Sequence, residues 1–201
     1  LTSTCSFTLT KGDVLAPSIN CPASIEQNND SGQCDAVVNF TAAVSATDYC
    51  TANPTIVFSP ASGSTFNVGN TTVTATATDA SGNTASCEFV ITVKDAEAPA
   101  VNCPANIAQN ASTGACGTAI SFSVSSTDNC DNNLSIALSH ASGDVFPVGT
   151  TTVTYTATDD ANNSTSCSFA VAITDNQAPG ITCPANISAN TNPNLCTAAV
   201  N

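Results

Sequence analysis

The chain has 201 residues, of which two are basic and fifteen acidic, giving a formal net charge of −13. That balance leaves no cationic footprint for nucleic acid or for an anionic membrane surface. Apolar residues make up 42% and charged ones 8%, enough to pack small cores and too apolar for a disordered chain, while no apolar run reaches the length of a membrane-spanning helix.

Residues 1–15 read as the C-terminal strand of a preceding repeat, Thr4-Cys-Ser-Phe-Thr-Leu9, plus a linker. The linker recurs: Asp13-Val-Leu-Ala-Pro17, Asp95-Ala-Glu-Ala-Pro99 and Asp175-Asn-Gln-Ala-Pro179. Proline fixes φ and lacks a donor, so each Ala-Pro marks a stiff start to the next sheet. The chain thus divides into two complete repeats, 16–97 and 98–177, and the N-terminal part of a third, 178–201.

Each repeat opens on Ile19-Asn-Cys-Pro22, Val101-Asn-Cys-Pro104 or Ile181-Thr-Cys-Pro184. Val101, Cys103, Ala105 and Ile107 share one parity and predict a single first strand with one buried face. A polar turn leads to a second strand, on which Cys34, Val38, Phe40 and Val44 share a face, as do Cys116, Ile120, Phe122 and Val124. A turn-rich corner follows, Thr47-Asp-Tyr-Cys50 or Thr127-Asp-Asn-Cys130. Ile56–Phe58 and Leu134–Leu138 form the third strand, which Ala-Ser-Gly breaks.

The most regular stretch closes each unit. Val73-Thr-Ala-Thr-Ala-Thr-Asp79 turns at Gly82-Asn83 and returns through Cys87, Phe89 and Ile91; its copy runs from Val153 to Asp159 and back through Cys167, Phe169, Val171 and Ile173. Strict alternation around an Asp/Asn turn reads as a half-buried hairpin. Six or seven short strands per unit, without helical periodicity, predict tandem all-β sandwiches of immunoglobulin or fibronectin type III kind. At about 80 residues and without tryptophan, such units need staples.

The order Cys-Pro-Ala-Asn-Ile, Gly-x-Cys, Thr-Asp-Asn-Cys, Phe-Pro-Val-Gly-Thr-Thr, Ala-Thr-Asp and Cys-x-Phe resembles the hyalin repeat, or HYR domain. Residues 98–177 carry every element; residues 16–97 depart at Tyr49 and Asn67. The resemblance implies an immunoglobulin-like extracellular module, of a kind found in matrix proteins and long bacterial surface adhesins, with no catalytic motif to carry over.

Eleven cysteines, evenly spread, point to an oxidising compartment, outside the cell or on its surface. A zinc protein needs clustered knuckles or histidine partners, and the single histidine, His140, reads as an exposed loop residue beside Ala-Ser-Gly. Intervals of 13 and 37 residues repeat unchanged. They favour the closed loops Cys21–Cys34, Cys50–Cys87, Cys103–Cys116, Cys130–Cys167 and Cys183–Cys196, with Cys5 bonded to a preceding repeat. The open alternative is a bridge across repeats, such as Cys116 to Cys183.

Calcium is the one cofactor the residues offer. Asp95 and Glu97 of the linker, Asp128 and Asp131 of the corner, and Asp159 and Asp160 of the hairpin turn supply the hard oxygens that it takes. The first repeat offers Asp13, Asp48 and Asp79, so a site is expected to be stronger at the 94–99 linker. The competing reading keeps these residues as turn formers. Sequons at Asn39, Asn70, Asn110, Asn133, Asn163 and Asn186 offer glycan attachment in a eukaryotic source.

One histidine cannot furnish recurring triads. The expectation is a non-enzymatic stalk or filament shaft of a long extracellular protein. Its partners are neighbouring repeats, copies of itself in a fibre, and a cell-surface or matrix ligand. The rival is a binding module for a glycan or protein, which exposed aromatics at Tyr49 and Tyr155 would favour.

Overall fold

The structure is a computed structural model that describes residues 3–188 and Asn190. The first unit contains β1 (Ser18–Asn20), β2 (Ser24–Asn28), β3 (Asp35–Val37), β4 (Ser45–Thr47), β5 (Thr55–Ser59), β6 (Thr65–Asn67), β7 (Gly69–Thr78) and β8 (Thr84–Lys94). The second repeats them as β9 (Ala100–Asn102), β10 (Ile107–Asn110), β11 (Gly117–Ala119), β12 (Ser125–Thr127), β13 (Ser135–Leu138), β14 (Val145–Pro147), β15 (Gly149–Thr158) and β16 (Ser164–Thr174). Each unit is a sandwich. One layer is a four-stranded sheet, ordered β2-β8-β7-β5 or β10-β16-β15-β13; the other is two short ladders, β1-β4 with β3-β6, or β9-β12 with β11-β14.

The long hairpins behave as their alternation predicts. Val73 pairs with Phe89 and Ala75 with Cys87; Val153 pairs with Phe169 and Tyr155 with Cys167. Their inward residues, Val73, Ala75, Phe89, Ile91 and Val93, are buried against Ala36, Val38, Phe40 and Phe66. Phe40 is the hub: its ring meets Phe58, Phe66 and Phe89 edge-on at centroid distances of 5.2, 6.1 and 5.3 Å. Burial of each such side chain contributes about 1.5–3 kcal/mol. In the second unit Phe146, Val153, Phe169, Val171 and Ile173 form the same core, and Phe122 lies 5.0 Å from Phe169.

The first strand departs from expectation. It divides at Cys-Pro into β1 and β2, or β9 and β10, making eight strands per unit rather than six or seven. Pro22 and Pro104 carry no donor, so the ladder stops there and the chain crosses to the other layer, where β2 and β10 pair parallel with β8 and β16. Ala105, expected inside, is exposed. The second strand also breaks. Phe40 and Phe122 donate their backbone N–H to the hydroxyls of Ser62 and Ser142, at 2.8 and 2.9 Å, where a ladder partner would be. Thr4–Leu9, read as a strand, forms none, and no described strand pairs with it. Ile56–Phe58 lie on β5 and Ser135–Leu138, without Leu134, on β13, the edges of the four-stranded sheets. Among the described residues no helix is long and apolar enough to cross a membrane.

Candidate functional site

The cysteines are paired differently from the loops that their spacing suggests. Cys21 bonds Cys87 and Cys103 bonds Cys167, so the first and fourth cysteines of each unit close its sandwich. Cys34, the second of one unit, bonds Cys130, the third of the next. The pairs Cys21–Cys34, Cys50–Cys87, Cys103–Cys116 and Cys130–Cys167 are therefore corrected. The physical reason is the sheet switch: Cys21 and Cys103 fall where the chain crosses between layers, and the core brings them against β8 and β16. The turn between β2 and β3 instead carries Cys34 to the end of the unit. Cys5, Cys50, Cys116 and Cys183 are exposed thiols; Cys183–Cys196 lies outside the described residues, since Cys196 is not among them. The alternative of a bridge across repeats holds in kind, but it joins second to third cysteine rather than Cys116 to Cys183. The Asp13 charge, then partial desolvation and the Asp48 charge, raise the Cys50 thiol, and Lys11 partly offsets them.

The Cys34–Cys130 bond sits within a set of contacts between the two units. Asn129 donates its side-chain N–H to Gln33 O at 2.7 Å. Glu97 accepts from Gly32 N at 2.7 Å and Ser31 Oγ at 3.0 Å. Ala96 N donates to Asn29 Oδ1 at 3.0 Å. Pro99, the stiff start of the second unit, is fully buried.

The same junction gathers aspartates. Asp95, Asp128, Asp131 and Asp159 place one carboxylate oxygen each within 4.8 Å of the others; Asp13, Asp48 and Asp79 do so at the start of the first unit. Two members of the expected set stand apart. Glu97 is held by the turn of the preceding unit, and Asp160 contributes only its backbone N–H, donated to Asp131 Oδ2 at 2.9 Å. Cys130 lies near Asp95 and Asp128, but its sulfur is committed to Cys34.

Turn chemistry occupies one oxygen of Asp13, Asp95 and Asp128 and both oxygens of Asp159. Asp95 Oδ1 accepts from Glu97 N at 3.2 Å, and Asp13 Oδ1 from Leu15 N at 3.1 Å. Asp128 Oδ1 accepts from Cys130 N and Asp131 N at 2.8 and 2.9 Å. Asp159, 4% exposed, accepts from Asn163 N at 2.7 Å and from Asn163 Nδ2 at 2.9 Å. The other oxygens of Asp13, Asp95 and Asp128 are buried without a hydrogen-bond partner. A shielded, unpartnered carboxylate oxygen is costly, and more so beside others of its charge.

Asp95 and Asp79 answer this cost in opposite directions. Burial, then the charges of Asp128, Asp159 and Asp131, hold the Asp95 carboxyl above its ordinary range, against the Glu97 N–H that lowers it. Asp79 goes the other way: burial raises it, but hydrogen bonds from Asn83, Ser81 and Gly82 outweigh that and hold it low. Asn163 is half-buried and its amide donates to Asp159 and to Asp95 O, so the sequon there is structural.

The aromatic residues separate. Tyr155 is buried and its hydroxyl bonds Ser126 at 2.7 Å, whereas Tyr49 is 96% exposed at the corner. His140, expected in an exposed loop, is half-buried against Phe146 at 5.3 Å.

A family model described as HYR domain matches residues 12–93 and 94–173. Among curated relatives, hyalin of Strongylocentrotus purpuratus is 37% identical over 193 residues, covering 91% of this chain and 16% of its own length. The sushi, von Willebrand factor type A, EGF and pentraxin domain-containing protein 1 of Rattus norvegicus is 36% identical over 169 residues, covering 80% of this chain and 4% of its own length. The chain thus spans a small part of each relative. Among solved structures, human protocadherin-24 EC1-2 aligns over 81% of this chain and all of its own, with 13% identity and a TM-score of 0.38.

Proposed function

Since this chain belongs to the HYR domain family, we propose that it is a non-enzymatic structural segment of an extracellular adhesive protein, in which the junctions between units set the stiffness of a stalk or shaft. The observation that carries this reading is the Cys34–Cys130 bond: it spends two cysteines on joining neighbouring units, where neither sandwich needs them for its own closure. The three disulfides fit an oxidising, extracellular setting. Neighbouring repeats are its first partners. A cell-surface or matrix ligand belongs elsewhere in the assembly. In this reading the exposed Tyr49 faces a preceding unit rather than a glycan, because its counterpart Asn129 touches Gln33 of the unit before it.

Calcium is the second clamp of the proposed joint. Asp95, Asp128, Asp131 and Asp159 would hold it, and their spacing suits an ion with oxygens at about 2.3–2.6 Å, which sets ligands on opposite sides roughly 5 Å apart. The unpartnered oxygens of Asp95 and Asp128 would serve as ligands, and a bound cation would offset the repulsion among the four carboxylates. The chain's own residues orient the set: the linker turn aims Asp95, the corner aims Asp128 and Asp131, and Asn163 fixes Asp159 while bonding the linker carbonyl of Asp95.

Calorimetric titration of the whole chain with calcium tests the clamp. Saturable binding that is lost in Asp128→Asn is expected. Heat no greater than that of dilution, with the fold intact by circular dichroism, would return the aspartates to turn formation and leave the disulfide as the only clamp.

A further inference from the structure

We propose that Cys116 and Cys50 are the two open halves of the same inter-unit bond: Cys116 joins the third cysteine of the unit that follows, and Cys50 the second cysteine of the unit that precedes. The argument rests on the internal repeat, in which the turn of Cys34 and the turn of Cys116 are built alike. Cys34 O accepts from Val68 N at 3.1 Å and Cys116 O from Val148 N at 3.0 Å. Gln33 N donates to Asp30 O, and Ala115 N to Ser112 O, both at 2.9 Å.

The linker beyond each unit folds back on that turn in the same way. Glu97 accepts from Gly32 N at 2.7 Å; Gln177 accepts from Gly114 N at 2.8 Å and donates to Ser112 O at 2.9 Å. Asp175 repeats the linker turn, its Oδ1 accepting from Gln177 N at 2.9 Å. A unit placed after Pro179 therefore starts from the same anchored position as the unit after Pro99.

The other half is equally matched. Cys50 N and Thr51 N donate to Asp48 Oδ1 at 2.9 and 2.7 Å, as Cys130 N and Asp131 N do to Asp128 Oδ1. One turn of this kind and one corner of this kind meet in the chain, and their cysteines are bonded. Among the described residues, the other turn and the other corner of this kind carry the exposed thiols Cys116 and Cys50.

Coupling needs an oxidant, and a small or protein-borne disulfide serves. The thiolate of Cys116 attacks one sulfur of R–S–S–R and releases R–S⁻. The partner thiolate then attacks the Cys116 sulfur of the mixed disulfide and releases the second R–S⁻. Two protons leave the two thiols, and two electrons pass to R–S–S–R, which ends as two thiols.

The test is peptide mapping of the unreduced native protein. Residues 98–127 contain no acidic or basic residue, so pepsin at acid pH, which also suppresses exchange, is the protease of choice. The expected result is a Cys116 peptide joined to a Thr-Asp-x-Cys corner peptide from another unit, at two hydrogens below the summed mass. Cys50 is expected to be joined to a turn peptide of the Gly-x-Cys kind. A free thiol at either position, or a bond from Cys116 to Cys103, Cys183 or Cys196, would overturn the proposal. Such a result leaves Cys34–Cys130 and the calcium reading standing.

Discussion

Asp95 carries opposing demands: its Oδ1 completes the linker turn while its Oδ2 is buried among other carboxylates. Its raised carboxyl sets a sign. A carboxyl held above its unfolded value contributes stability that is present below that value, about pH 4, and is lost as pH rises through the folded one. In chelator, the melting temperature should therefore fall as pH is raised from about 4 towards neutrality. Saturating calcium should abolish that fall, since the cation takes the place of the proton. A pH-independent melting temperature in chelator would contradict the charge account. Gly117 makes a different residue-scale prediction. A Cβ there would lie 2.5 Å from Phe146 O and 3.3 Å from Pro147 Cα, both backbone atoms that cannot swing away. Gly117→Ala should destabilise the second unit by about 1–3 kcal/mol, read by chemical denaturation. The same change at Gly114 meets nothing within 4 Å, but its φ of +75° makes it strained for another reason.

The hairpins β7–β8 and β15–β16 were the most legible elements, because a period of two over ten residues admits one structure. Val73, Ala75, Phe89 and Ile91 point inward as their parity requires. The first strand was not legible as two pieces: Val101, Cys103 and Ile107 keep one parity through a change of sheet, and parity does not say which sheet a residue pairs in. The disulfides went astray on the same point. A fixed 13-residue interval arises whenever a fold is repeated, whether or not its ends touch, so constant spacing between Cys21 and Cys34 carried no information about contact. The acid cluster was readable as loops at one pole; that Glu97 turns to Ser31 and Gly32 depends on the preceding unit, which local sequence does not report.

The bonds then divide by task. Cys21–Cys87 and Cys103–Cys167 close loops of 66 and 64 residues, worth about 4 kcal/mol each in a chain-entropy account. Cys103→Ser with Cys167→Ser should lower the second unit's melting temperature by more than about 10 °C. Cys34→Ser with Cys130→Ser should leave each unit's melting nearly unchanged, because both sandwiches keep their own staples. Calorimetry of the two double variants separates these roles.

For the whole molecule the consequence is mechanical. Two basic residues, Lys11 and Lys94, leave almost nothing for trypsin-like proteases to cut, and Lys94 is paired with Glu26. Val57 on β5 and Ile136 on β13 leave exposed apolar side chains on the edge strands of the four-stranded sheets. Strands of ten to eleven residues give each unit a length of roughly 30–40 Å at ~3.3 Å per residue.

The central claim is that the junction, by its disulfide and its aspartates, holds neighbouring units in one extended arrangement. Small-angle X-ray scattering of the chain measures this directly, in calcium, in chelator, and in the Cys34→Ser, Cys130→Ser variant with chelator. The account predicts a rod whose maximum dimension is sharply defined in calcium, broadens in chelator and broadens further in the variant, while the units stay folded. The same profile in all three states, or a compact profile with the units folded side by side in calcium, would contradict it.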